Sequence, residues 1–160
     1  MSARRSMWAC LGIVVLVGSG CTAAIAGAGH TSSPWELGGT VRGMALYPLG
    51  LAGLSGGPVA TYSYLKWDGG GGKDHLFEVG GQLRKSFPMG VRSPWVGVEA
   101  GFARMNSSGS GYSESSNGWS TWVHAGVPVT SSVSVFGGGG ITGLWDGTGK
   151  NVRIGLEITP

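Results

Sequence analysis

The chain has 160 residues, a formal net charge of +3, 12% charged and 41% hydrophobic residues, and 33 glycines. That length suits one domain, and the glycine content works against helices, each glycine costing about 1 kcal/mol relative to alanine in a helix interior. Beyond residue 21 nine Lys/Arg stand against eight Asp/Glu without clustering, which excludes a basic nucleic-acid footprint.

The first element is an export signal. Arg4 and Arg5 form a positive start, and an apolar run from Met7 to Val17 follows, ending in Gly18-Ser19-Gly20-Cys21. The run is too short for a spanning helix of roughly 20 residues and fits a signal peptide with small residues at its cut. The small residues before Cys21 resemble the lipobox of bacterial lipoproteins. That resemblance implies a cleaved signal over 1–20, a diacylglyceryl-modified Cys21 as the new N-terminus, and, with Thr22 next, delivery to the outer membrane. Cleavage after Ala24-Ile25-Ala26 is the alternative. Cys10 is removed in either case, so no disulfide forms within the mature chain.

Residues 21–34 are small and polar and read as a linker carrying the lipid anchor, before a β domain over 35–160. Period-two alternation then dominates. It predicts strands near 35–47, 58–67, 75–87, 95–105, 118–127, 132–143 and 150–159. The breaks alternate in style. Asp68 to Asp74, Asn106 to Asn117 and Asp146 to Lys150 are rich in Gly, Ser, Asp and Asn. The others, Pro48 to Pro58, Pro88 to Pro94 and Val127 to Thr130, contain proline. In an up-and-down meander each style occupies one end, as in outer-membrane barrels with short turns at one end and longer loops at the other.

The faces carry a second signal. Glu36, Arg42, Glu78, Arg84, Glu99, Arg153 and Glu157 recur at mid-strand, opposite apolar residues such as Val79, Leu83, Val152 and Ile154. A charge facing lipid near the midplane costs ~2–4 kcal/mol, so this set is predicted to form an ion-pair network in the interior. Most runs reach the ~9–11 residues that a transmembrane strand needs. Trp35, Tyr47, Trp67, Phe87, Trp95, Trp119 and Trp145 lie at or near strand ends, where Trp favours the membrane–water interface. They are predicted to form two aromatic girdles.

Residues 35 to 160, with strands such as Val96-Gly-Val-Glu-Ala-Gly-Phe102 and Val133 to Gly140, resemble the small eight-stranded outer-membrane barrels of the OmpA/OmpX-like class. The resemblance implies an all-β antiparallel up-and-down barrel in contact with outer-membrane lipid. It implies a structural or surface-interaction role, with no catalytic reaction and no cofactor. Loops 68–74, 106–117 and 144–150 are the expected surface for an envelope partner. Bacterial single-chain barrels have even strand numbers. The eighth strand is to be sought in 22–34 or in the apolar part of 48–57 (Leu49, Leu51, Leu54).

Two other readings stay open. One is a soluble β-barrel or sandwich lipoprotein that binds a small apolar ligand. The other is a lipid-modifying enzyme using His124. Ser120 and His124 share a face but stand ~13 Å apart along a strand, and the sequence has no metal-ligand spacing around His75 or His124. Gly69 to Lys73 lacks the Ser or Thr of a phosphate loop, since Asp74 follows the lysine.

Overall fold

The computed structural model describes residues 21–31, 35–67, 71–89, 93–145 and 147–159. The signal segment 1–20 lies outside the described residues, as do the side chains of Cys21, Trp35 and Glu36. Among the described residues all regular structure is β: β1 Cys21–Thr31, β2 Trp35–Ala45, β3 Leu54–Trp67, β4 Gly72–Ser86, β5 Trp95–Gly109, β6 Tyr112–Pro128, β7 Val133–Leu144 and β8 Gly147–Ile158. Tyr47–Pro48 continues β2 and pairs with Gly56 and Ser55 of β3.

Each strand pairs antiparallel with the next. β2 also pairs with β3, and β1 pairs with β8. The sheet therefore closes on itself as an eight-stranded up-and-down barrel. Closure removes both sheet edges, the condition for backbone to cross hydrocarbon without unpaired polar groups.

The eighth strand is the segment that reads as a linker. β1 crosses the whole wall, with Cys21 opposite Ala45 and Thr31 opposite Trp35. Its alternation is faint for a steric reason. Inward Ala24 lies between Arg42 of β2 and Glu157 of β8, and Ala28 is paired with Arg153. The long side chains of the neighbouring strands fill the lumen in front of β1, so only small residues fit there. Residues 21–31 thus belong to the barrel wall and are not a linker ahead of it.

Three loop assignments also change. Residues 106–117 are a solvated loop by composition, yet β5 and β6 remain paired up to Gly109 opposite Tyr112. Only Ser110 and Gly111 turn, with Gly111 at φ +87°, a conformation that favours glycine. At the far end of the chain the ladder runs to Leu144 opposite Gly147. The strand predicted from residue 58 starts earlier, at Leu54, with Pro58 inside it. Pro58 sits where the ladder to β2 is interrupted, between Val59–Met44 and Gly56–Tyr47, a place where a missing N–H is tolerated. Cys21 and Ile158 lie at the same end as the proline-containing turns. Thr22 and Thr159 hydroxyls stand 3.5 Å apart there.

Candidate functional site

Burial is inverted relative to a water-soluble barrel. Ile25, Leu37, Val79, Val98, Val123, Ile141, Ile154 and other large apolar side chains face outward and are exposed. Arg42, Arg84, Arg153, Asp74, Glu78, Glu99, Glu157 and His124 face inward and are buried. The alternation of each strand places the two sets on opposite faces.

The lumen is layered. At the proline-turn end an apolar plug forms from Ala24, Ala26, Met44, Val59, Trp95 and Phe136. Arg84 bridges this plug to the charged middle. Its guanidinium lies 3.7 Å over the Trp95 ring and donates two hydrogen bonds to the Glu157 carboxylate, each 2.7 Å. Arg42 donates to Glu99 at 2.6 Å and to the Gln82 side-chain oxygen at 2.9 Å.

Arg153 stands over the Trp122 ring at 3.5 Å and pairs with Glu78. The Trp122 indole N–H donates to the other oxygen of Glu78 at 2.7 Å. Three arginines thus meet three glutamates, and two of the guanidiniums lie against an indole face. Such pairing is what allows these charges to be buried at all, since an unpaired buried ion costs several kcal/mol.

Further from the plug the lining is mostly hydroxyl and amide, with Asp74 as its buried carboxylate. The Thr40 and Ser63 hydroxyls lie 2.8 Å apart, and the Asn151 amide donates to Thr142 at 2.7 Å. A cavity of only about 10 Å³ remains among Ser63, Leu65, Leu76, Trp122 and Arg153, room for one water at most. The barrel interior is filled by side chains, as eight strands allow.

The six network residues with described side chains, Arg42, Glu78, Arg84, Glu99, Arg153 and Glu157, are all brought together. Sequence reasoning missed Gln82 and Trp122 as their partners, although both share the charged parity. Asp74, placed in a loop by its glycine neighbours, is buried on β4. His124 is sealed in the same lumen. It stacks on Trp122 with ring centroids 5.5 Å apart and meets the edge of Phe136 at 6.1 Å. Its Nδ1 is 4.0 Å from Glu99.

The girdle divides. Tyr47, Phe87, Trp119 and Trp145 are exposed, the last by 88%, and they lie toward opposite ends of the wall. Trp95 is corrected: it is 4% exposed because it shares the inward parity of Gly97 and Glu99. Trp67 is likewise on the inward register of β3, half-buried, with its ring beside Gly72. Outward aromatics not assigned to the girdle are exposed Phe77 and Phe102 and half-buried Tyr62, and Tyr62 and Phe77 lie with ring centroids 4.8 Å apart.

Among solved structures the chain is similar to Neisserial surface protein A. The TM-score is 0.62 at 18% identity, covering 88% of this chain and 96% of that one. The chain has the fold of an eight-stranded outer-membrane barrel. It is also similar to Ail, the attachment invasion locus protein of Yersinia pestis, with TM-score 0.54, 11% identity, and 86% and 95% coverage. A second Ail structure, in complex with the heparin analogue sucrose octasulfate, matches at TM-score 0.54 and 10% identity, with the same coverage. No family model matches the chain, and no curated protein matches it.

Proposed function

We propose that this chain is a small barrel embedded in the bacterial outer membrane, with a structural or surface-interaction role rather than a catalytic one. The observation that carries this reading is the inverted burial. A wall of exposed Ile, Leu, Val and Phe encircles a lumen of paired charges. In water such a wall would far exceed the few hundred Å² of apolar patch that soluble monomers expose. The soluble-binder reading is disfavoured for that reason, and the cavity among Ser63, Leu65, Leu76, Trp122 and Arg153 is only about 10 Å³. The enzyme reading through His124 is disfavoured by its burial behind Trp122 and Phe136. The test is extraction followed by gel mobility with and without boiling. A heat-dependent shift and a requirement for detergent are expected. Full solubility without detergent and no shift would sink the proposal.

The mature N-terminus in this reading is Cys21, lipid-anchored after removal of residues 1–20. Cleavage after Ala26 would discard the half of β1 that pairs Thr22 with Met44 and Ala24 with Arg42. An anchor at Cys21 would sit at the proline-turn end, next to the last strand, with no need for the chain to cross the barrel again. Incorporation of labelled lipid into the wild type and not into Cys21→Ser is the expected result, and equal labelling would remove the anchor from the proposal. The opposite end, with segments 68–74, 106–117 and 144–150, is in this reading the surface for a surface or envelope protein partner. Exposed Ser113, Glu114, Ser115 and Trp145 at that end support the assignment.

A further inference from the structure

The charges of this barrel are sorted by sign. Among the described side chains, Asp74, Glu78, Glu99 and Glu157 are buried in the lumen, and Glu114 is the one exposed carboxylate. Three arginines are consumed by the lumen glutamates. Among the described side chains the exposed cations are Lys66, Lys73, Arg104 and Lys150, all on outward positions in the hairpin half of their strands. Lys85, at the other end, is tied to the Ala52 carbonyl.

Three of these cations lie on adjacent strands. Lys66 of β3 and Lys73 of β4 are direct cross-strand partners, an arrangement of like charges that weakens a sheet. No described carboxylate pairs with either, nor with Arg104, which donates to the Asn106 side-chain oxygen at 3.4 Å. Ser108 of β5 continues the same row. An open cleft of about 390 Å³ lies here, lined by Tyr64, Lys66, Gly72, Lys73 and Ser108. Its glycines carry no side chain into the space.

Toward the middle of the wall the same three strands turn aromatic and then apolar. The Tyr62 hydroxyl and His75 Nδ1 are 2.7 Å apart, and Tyr64 meets the His75 edge at 5.3 Å. Exposed Phe77, Val79 and Phe102 follow. Arg104 emerges level with Phe77 and Tyr62, and its flexible stem can run along the apolar wall while the guanidinium rises to the polar rim. Apolar, aromatic, then cationic is the order that a strip crossing from hydrocarbon to headgroups requires.

We propose that Lys66, Lys73 and Arg104 form a binding site for the phosphates of an anionic lipid headgroup in the leaflet at the hairpin end. The cleft between the lysines takes the phosphate. The lipid's acyl chains lie on Phe77, Val79 and Phe102. A lipid fits better than a soluble anion because the cations abut the aromatic belt instead of crowning the hairpin tips. The site rests on the membrane-embedded reading above.

The experiment uses the barrel refolded into phosphatidylcholine nanodiscs doped with diphosphorylated lipid A, with retained lipid counted by native mass spectrometry. Wild type is compared with the variant carrying Lys66→Gln, Lys73→Gln and Arg104→Gln, and with Lys150→Gln across the barrel. At about five-fold per cation near a charged membrane surface, the triple variant is expected to bind lipid A on the order of 100-fold more weakly. Lys150→Gln should stay within about two-fold of wild type, and added salt should weaken the wild type. Heat-dependent gel mobility of the same samples reports embedding independently. Loss of the shift in wild type overturns the embedded reading, and the site with it. A retained shift with equal lipid A binding by wild type and triple variant overturns the site alone. So does capture of sucrose octasulfate from solution without any preference for lipid A.

Discussion

Gly139 and Gly140 are adjacent on β7, yet the two positions differ in what they allow. Gly140 faces the lumen, where an added Cβ would collide with the Trp122 ring and the Thr121 carbonyl, whereas at Gly139 the nearest atom is the Asn151 carbonyl oxygen at 3.8 Å. Gly140→Ala should therefore cost about 1–3 kcal/mol by overpacking. Gly139→Ala should be close to neutral. Urea unfolding in lipid vesicles checks the difference, and equal midpoints would mean that Trp122 does not rest against β7. The ion pairs offer a second residue-scale test. Glu78 accepts from both Arg153 and Trp122, so Glu78→Gln strands a buried guanidinium and should cost ~3–5 kcal/mol. Replacing both partners, Glu78→Leu with Arg153→Met, should recover most of that loss. A double variant as unstable as the single one would show that the pair is needed for more than mutual neutralisation. At this scale the sequence was most legible where parity decides. Arg42, Glu99 and Glu157 follow from alternation alone. Trp95 does not follow from being near a strand end, because the face it occupies depends on its parity with Glu99 rather than on its depth in the wall.

β1 is the element that the sequence hid. Its outward positions include Ala23 and Ile25 and its inward ones Ala24, Ala26 and Ala28, so hydropathy barely alternates. The information that makes it a strand resides in its neighbours, whose Arg42, Arg153 and Glu157 need small residues opposite them. Serine-rich 106–117 was hidden for the converse reason. A paired ribbon with water on both faces needs no apolar alternation. The strand role of β1 predicts a sharp dependence on where the chain begins. A chain starting at Thr22 and refolded into vesicles should give a heat-modifiable band. A chain starting at Gly27 loses the ladder pairs of residues 22–26 with β2 and of residues 23–26 with β8. It leaves β2 and β8 with unpaired backbone groups at membrane depth, each costing several kcal/mol. That chain should give little or no such band, and equal folding of the two would return residues 22–26 to the status of a tether.

In the embedded reading the variable at the scale of the whole molecule is which end faces out, and strand length argues for one answer. β5 and β6 have 15 and 17 residues, more than the ~9–11 needed to cross hydrocarbon. The exposed apolar residues of this pair run from Val96 and Val127 to Phe102 and Trp119. Beyond Phe102 and Trp119 the pair continues through Asn106, Ser108, Ser113 and Ser115 to the turn at Ser110 and Gly111. At the other end β6 and β7 are joined by a tight turn, with Val129 and Thr130 N–H groups donating to the Val133 carbonyl at 2.8 and 3.1 Å. Outer-membrane barrels keep short turns on the periplasmic side and longer projections outside, so Ser110 should lie at the cell surface and Ser131 in the periplasm. The strip of Lys66, Lys73 and Arg104 would then meet the outer leaflet, and Cys21 the inner one. In a Cys21→Ser background, Ser110→Cys should react with a membrane-impermeant maleimide on intact cells, and Ser131→Cys only after the envelope is permeabilised. The reverse pattern would invert the molecule, moving the cationic strip to the periplasmic leaflet and the N-terminus to the surface. Labelling of both sites on intact cells would mean that the barrel is not held across the membrane at all.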